Sequence, residues 1–210
     1  MTRRAFHHEP EEVRRQALID ATLEAVAESG LAGATVREVA KRASVTPGLI
    51  RRYFQSKDRL VQAAYMHFVE DSTARIAHQI GEGPALDRLE RFVRANFADG
   101  VAGTRYIAIW SAFVAVANVD PAMARIHAHG YLAFRLLLEE ILADLFREAQ
   151  MSLSADAIRE KAFVANAIID GIWLELSLAK EAFADIDPVE MAIGSICTVL
   201  SIDRSPNPKH

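Results

Sequence analysis

Three residues, Ser44-Val45-Thr46, separate two short segments that each carry the apolar spacing of a helix. Before them, Val36, Val39, Ala40 and Ala43 stand at i, i+3, i+4 and i+7, one stripe on a helical surface. From Val45 onward, Val45, Leu49, Ile50, Tyr53 and Phe54 recur at helical intervals, while Pro47, Gly48, Arg51, Arg52 and Gln55 fall largely on the other side. So short a link permits only a tight turn, which makes the pair a helix-turn-helix candidate. The second helix then has an oily back and a front that is small at its N-terminal end and cationic further on. A helix of that kind can enter a DNA major groove tip first, where small residues allow close approach.

The flanking signals agree. Glu11 to Ser29 reads as a preceding helix, with Leu18, Ala21, Ala25 and Val26 on one side and Gly30 as its stop. Thr35 and Glu38 have the spacing of a capping box. Thr46 can cap the third helix, and Pro47 suits its first position, where no N–H is needed. Ser56 caps a long fourth helix from Lys57 to about Ile80, roughly 36 Å at 1.5 Å per residue. Gly81-Glu82-Gly83-Pro84 ends it. Further helices are expected near 85–99, 104–117, 121–149, 155–180 and 188–202, with breaks at Gly100 and Gly103, before Pro121, around 150–154 and before Pro188. No run alternates in the manner of a strand. The expected fold is therefore all-α, with about nine helices: a helix-turn-helix domain over 1–56, a larger helical domain over 57–203, and a disordered tail over 204–210.

Charge divides along the same line. The first 60 residues hold 11 Lys and Arg against 8 Asp and Glu, a net of +3, whereas the other 150 hold 13 against 20, a net of −7. A basic head on an acidic body suits a head that meets a phosphate backbone. Seven cations lie between Arg37 and Arg59. Arg51 and Arg52 can fork onto guanine or onto phosphate. Thr35, Arg37, Thr46, Lys57 and the free N–H groups at the helix starts can hold phosphates, and Tyr53 can bury its ring while its hydroxyl reaches one. With no apolar run of spanning length, no membrane segment is expected, and a charged N-terminus without an apolar stretch behind it gives no secretory signal. The single cysteine, Cys197, excludes an intrachain disulfide. A cytoplasmic protein is the expectation.

The stretch TVREVAKRASVTPGLIRRYFQSKDRL resembles the N-terminal signature of the TetR family of bacterial transcriptional regulators, over about residues 14–65. The resemblance implies an all-helical homodimer with a DNA-binding head and a ligand-binding body. One departure is Ser44, where the family usually has glycine. If that residue is left-handed, serine there costs on the order of 1 kcal/mol. Two stretches of the body, IWSAFVAVANVDPAM (109–123) and AIIDGIWLEL (167–176), resemble the C-terminal domain of the choline-responsive BetI-type repressors of betaine synthesis.

The residues offer such a ligand two features. Tyr106, Trp110 and Phe113 form an aromatic stripe at i, i+4 and i+7, and Trp173 can complete a box for an organic cation such as choline. Asp170 lies among apolar residues, where a carboxylate wants a cation or hydrogen-bond donors. The same residues also fit ordinary core packing, so a different apolar or aromatic effector stays open. The last two helices read as a dimer interface through Phe163, Ile168, Ile172, Ile193, Ile196, Cys197 and Leu200, because a helix apolar on more than one face needs cover on several sides. A helical enzyme is the rival class, but no catalytic constellation, phosphate loop or metal set supports it, and no cofactor is expected. His127 and His129 stand two apart, on different sides of a helix, and His7-His8 fall in the N-terminal arm. A helical protein-interaction module that has lost its DNA contacts is the third class, and the intact basic head argues against it.

Overall fold

The computed structural model describes residues 10–98 and 103–204. Among them the chain forms nine α-helices and one 3-10 turn, with no strand. The helices are α1 (Glu11–Gly33), α2 (Val36–Arg42), α3 (Pro47–Phe54), α4 (Lys57–Ile80), α5 (Ala85–Phe97), α6 (Thr104–Ala117), α7 (Pro121–Glu148), α8 (Ala155–Leu178) and α9 (Pro188–Leu200); the 3-10 turn is Lys180–Phe183. The expected Gly100 break, Arg3 and Arg4, His7 and His8, and tail residues 205–210 lie outside the described residues.

The chain packs as two compact units, Met1–Phe68 with Ala108–His127, and Val69–Ile107 with Ala128–His210. Packing thus groups the first half of α4 with the head instead of dividing the chain between residues 56 and 57.

In the first unit, Leu18, Ala25, Val26, Val39, Ala40, Ile50, Phe54, Leu60 and Ala64 make the buried core. Gly30 interrupts α1 as expected, with φ 65 and ψ −179, but one further turn follows to Gly33. That positive φ is open to glycine at little cost. The Thr35 hydroxyl accepts from the Glu38 N–H at 3.2 Å. Glu38 does not complete the capping box, because its carboxylate accepts from Arg42 Nε at 2.7 Å instead. Ser56 Oγ accepts from the Arg59 N–H at 3.2 Å and starts α4. Gln16 Nε2 lies 2.9 Å from His67 Nε2 and joins α1 to α4. Further along α4, the buried Tyr65 ring stacks on Phe113 of α6 at 4.3 Å, and its hydroxyl hydrogen-bonds His127 Nδ1 of α7 at 2.7 Å.

The second unit is centred on Phe92, Val93, Leu138, Ile141, Leu142, Phe146, Ala165, Ile169, Ile193 and Ile196. Its helix ends are closed by side chains. Arg91 of α5 donates to the Ile80 and Glu82 carbonyls at 2.5 and 2.7 Å, satisfying the C-terminus of α4. The Glu148 carboxylate accepts from the Ala85 N–H at 3.1 Å and places negative charge at the start of α5. Gly130 of α7 is needed for packing: a Cβ there would lie 2.7 Å from the Val69 side chain of α4. Arg204, at the head of the expected tail, bridges Glu90 and Glu190, 3.1 Å from each.

Candidate nucleic-acid interface and ligand cluster

The third helix takes the orientation its sequence requires. Ile50 and Phe54 are buried, Val45, Leu49 and Tyr53 are half-buried, and Pro47, Gly48, Arg51, Arg52 and Gln55 are exposed. Burying side chains of this size stabilises by roughly 1.5–3 kcal/mol each, which holds the cationic face outward. Arg15 of α1 adds a second hold: it donates from Nη1 to the Tyr53 carbonyl at 3.3 Å, and its guanidinium lies 4.5 Å from the Phe54 ring centre. The sequence reading did not single out Arg15, and its place one side chain from α3 carries no local sequence signal. Ser44 does take the left-handed conformation, at φ 53.

Around α3, Thr35, Arg37 and Thr46 are exposed. Thr46 has the extended backbone of an N-cap, but its hydroxyl makes no capping bond, contrary to expectation. Arg52 lies 5.8 Å from the Tyr53 ring centre and stays exposed. Lys57, half-buried, donates from Nζ to the Leu31 carbonyl at 3.3 Å. That bond uses one of its three donors and fixes its place beside the α1 end. Arg42 is occupied otherwise: it chelates the Glu28 carboxylate at 3.0 and 2.6 Å and reaches Glu38 as well. The hydrogen bond from Arg42 holds the Glu28 carboxyl below the usual carboxylate range.

In the second unit, a polar cluster surrounds Asp170. Tyr131 of α7 donates its phenol to Asp170 Oδ2, and Asn166, one turn earlier on α8, donates from Nδ2 to the same oxygen at 2.8 Å. Trp173 is buried and meets Tyr106 edge to face, with ring centres 5.8 Å apart and planes at 89°. Burial pushes the Tyr106 phenol up, against the hydrogen bond of the Ser72 hydroxyl. Burial, and then the Asp170 charge, push Tyr131 well above the ordinary tyrosine range, so it remains a donor.

Tyr106, Asp170 and Trp173 therefore share one unit. Trp110 and Phe113 belong to the other, where Trp110 is half-buried. Phe113 is fully buried with its face against Tyr65, which makes it core and removes it from the expected aromatic box. Tyr131 and Asn166 are the members the sequence reading missed. Asn166 was within reach, since four residues from Asp170 on a helix means the same face. Tyr131 lies 39 residues away and gave no such sign.

The expected dimer residues also divide. Ile193, Ile196, Cys197 and Leu200 are buried in their own subunit, so this α9 stripe cannot face a partner. Both sides of the helix are apolar, and the periodicity could not say which side the subunit keeps. Ile168 and Ile172 are half-buried, and Phe163 is half exposed. The outward apolar face consists of Phe163, Val164, Ala167, Gly171, Leu174 and Leu178 on α8, with Met191 and Val199 on α9. No helix among the described residues is long and apolar enough to cross a membrane.

Comparison with known proteins bears on both halves. Residues 18–64 match the bacterial regulatory proteins of the tetR family, and residues 85–191 match the BetI-type transcriptional repressor C-terminal family. Over 170 residues, 80% of this chain and 84% of the relative, the sequence is 32% identical to the HTH-type transcriptional regulator BetI of Escherichia coli K12. Among solved structures, a Pseudomonas aeruginosa PAO1 protein aligns with a TM-score of 0.80 and 28% identity, covering 94% of this chain and 93% of that one. A Saccharomonospora viridis protein crystallised with choline aligns with a TM-score of 0.73 at 15% identity, over 90% of this chain and 96% of that one, a likeness of fold.

Proposed function

The chain belongs to the TetR family of bacterial regulators and carries a BetI-type C-terminal domain, and from that premise we propose that it is a homodimeric repressor released from a palindromic operator by a small organic effector. The observation that carries the DNA half is the orientation of α3: Ile50 and Phe54 are buried while Pro47, Gly48, Arg51 and Arg52 are exposed. The narrow tip enters the major groove, Arg51 and Arg52 reach base edges or phosphates, and Thr35, Arg37, Thr46, Tyr53 and Lys57 hold the backbone on either side. Two such heads read half-sites about one helical turn apart, near 34–36 Å.

The outward face of α8 and α9 supports the dimer. Phe163, Val164, Leu174 and Leu178 form an oily surface in which Ala167 and Gly171 allow a second copy to come close. Effector binding around Tyr106, Asp170 and Trp173, with choline or another organic cation as the candidate, favours a body conformation in which the heads are wrongly spaced. The α4 helix, which starts at the DNA-contact candidate Lys57, is taken as the connection; like α6 and α7, it passes from one unit to the other. A thousandfold release requires about 4 kcal/mol of coupling, plausible for two effectors per dimer.

A gel shift at stated salt, using DNA that flanks the coding region against random DNA, tests the reading. Retardation of the flanking DNA at concentrations at least a thousandfold lower is expected. Equal retardation of both would remove the operator.

A further inference from the structure

We propose that the Asp170 cluster binds a cation bearing N–H donors, a primary or secondary ammonium group, in preference to a quaternary ammonium. The inference rests on the effector site proposed above and specifies the chemical class it selects. It begins with Asn166. This side chain is 7% exposed, and its Oδ1 has no hydrogen-bond partner among the described residues. The orientation of the amide is decided by its neighbour: only the NH2 group can face the Asp170 carboxylate, so the remaining atom, Oδ1, is the acceptor.

The neighbouring groups reinforce the same demand. The Tyr131 hydroxyl and the Asn166 NH2 both donate to Asp170 Oδ2. These donors are turned inward onto the carboxylate. What the cluster leaves over is a buried orphan amide oxygen beside a carboxylate that accepts from both of these neutral donors. Burial and the Asp170 charge keep Tyr131 protonated, so its role does not reverse to acceptor near neutral pH. On α4, Arg75, near enough to act on the Tyr106 phenol, is paired with Asp71 at 3.1 Å. An acceptor without a donor is costly when buried, and a charged N–H group answers both the amide oxygen and the carboxylate.

A quaternary ammonium does neither well. It carries methyl groups, which leave the Asn166 oxygen orphaned. Its affinity comes from aromatic faces. Here Tyr106 and Trp173 meet at 89°, so the edge of one covers the face of the other. Phe113, the third ring of the expected box, has its face against Tyr65 in the first unit. The cluster is a set of acceptors with an aromatic flank.

The test is a series in which N–H groups are replaced one at a time by methyls at constant charge: 2-aminoethanol, its N-methyl and N,N-dimethyl derivatives, and choline. Each is titrated into the full-length dimer by calorimetry and into the dimer–operator complex by fluorescence anisotropy. Affinity should fall along the series, at least tenfold from 2-aminoethanol to choline. Asn166→Leu, which keeps the size and removes the acceptor, should flatten the series, whereas Asp170→Asn should weaken all four members. If choline binds as tightly as 2-aminoethanol or tighter and releases the operator, this inference is overturned and the effector site stands. If no member binds or releases operator at millimolar concentration, both are overturned. A wild-type gradient that survives unchanged in a folded Asn166→Leu protein also overturns the inference. Should Asn166→Leu fail to fold, the wild-type series decides alone.

Discussion

The outward faces of α3 and α8 are built from opposite chemistry on the same principle. On α3, eight residues long, a sharp contrast separates buried Ile50 and Phe54 from exposed Pro47, Gly48, Arg51 and Arg52. On α8, Ala162, Ala165, Ile169 and Trp173 turn inward, yet Phe163, Val164, Ala167, Gly171, Leu174 and Leu178 turn outward, so both sides are apolar. Each helix secures one side within its own chain, and under the proposed function the other is left for a partner. The cationic face suits a polyanion, and the oily face suits another protein surface. A helix with contrast announces which side is which, whereas a helix without contrast conceals it.

The largest expected effect tests the oily face. Leu174→Glu would bury an unpaired carboxylate in each copy of a two-fold interface, at a cost of about 3–5 kcal/mol. Sedimentation velocity should show monomers with the helical content retained. An unchanged dimer would place the interface elsewhere. Next comes the cationic face. Arg51→Ala should leave the dimer intact and weaken operator binding by roughly 1–3 kcal/mol while sparing random DNA. Equal losses on both would make Arg51 a phosphate contact. The turn that presents α3 gives a smaller effect of opposite sign. Ser44 sits at φ 53, which glycine adopts freely, so Ser44→Gly should stabilise by about 1 kcal/mol and raise Tm by roughly 2–4 °C. A lower Tm would mean that the serine side chain itself holds the turn. The smallest effect belongs to Lys57→Ala, which should weaken all DNA alike and flatten the log–log salt slope by about one per head. Loss confined to the operator would give Lys57 a sequence-reading role.

Much of the head was legible because its signals are local. Thr35 before α2, Pro47 at the start of α3, Ser56 before α4 and the three-residue link each act within a few positions. The Ser44 conformation was legible as a departure from a pattern. Gly30 was legible as a break, but not that the helix would resume for a turn, because that depends on what the last turn packs against.

In the body, helix extents were readable and their inward sides were not. The stripe Ile193, Ile196, Cys197 and Leu200 could have faced either a partner or its own core, and spacing is identical in the two cases. The aromatic stripe had the same ambiguity, resolved only when Tyr65 is seen to cover Phe113. The pairing of Tyr131 with Asp170 depends on how α7 and α8 come together, which no local signal records.

The tethering of Arg42 by Glu28 and Glu38 has a consequence for how strongly this head grips nucleic acid. Of the seven cations between Arg37 and Arg59, this one already has its counter-charge within the protein and displaces no ion from a duplex. Six are left, which limits that segment to a slope of roughly five in log affinity against log salt. Under the proposed function, the head would therefore let go of non-cognate sequence more readily than its raw count of basic residues suggests.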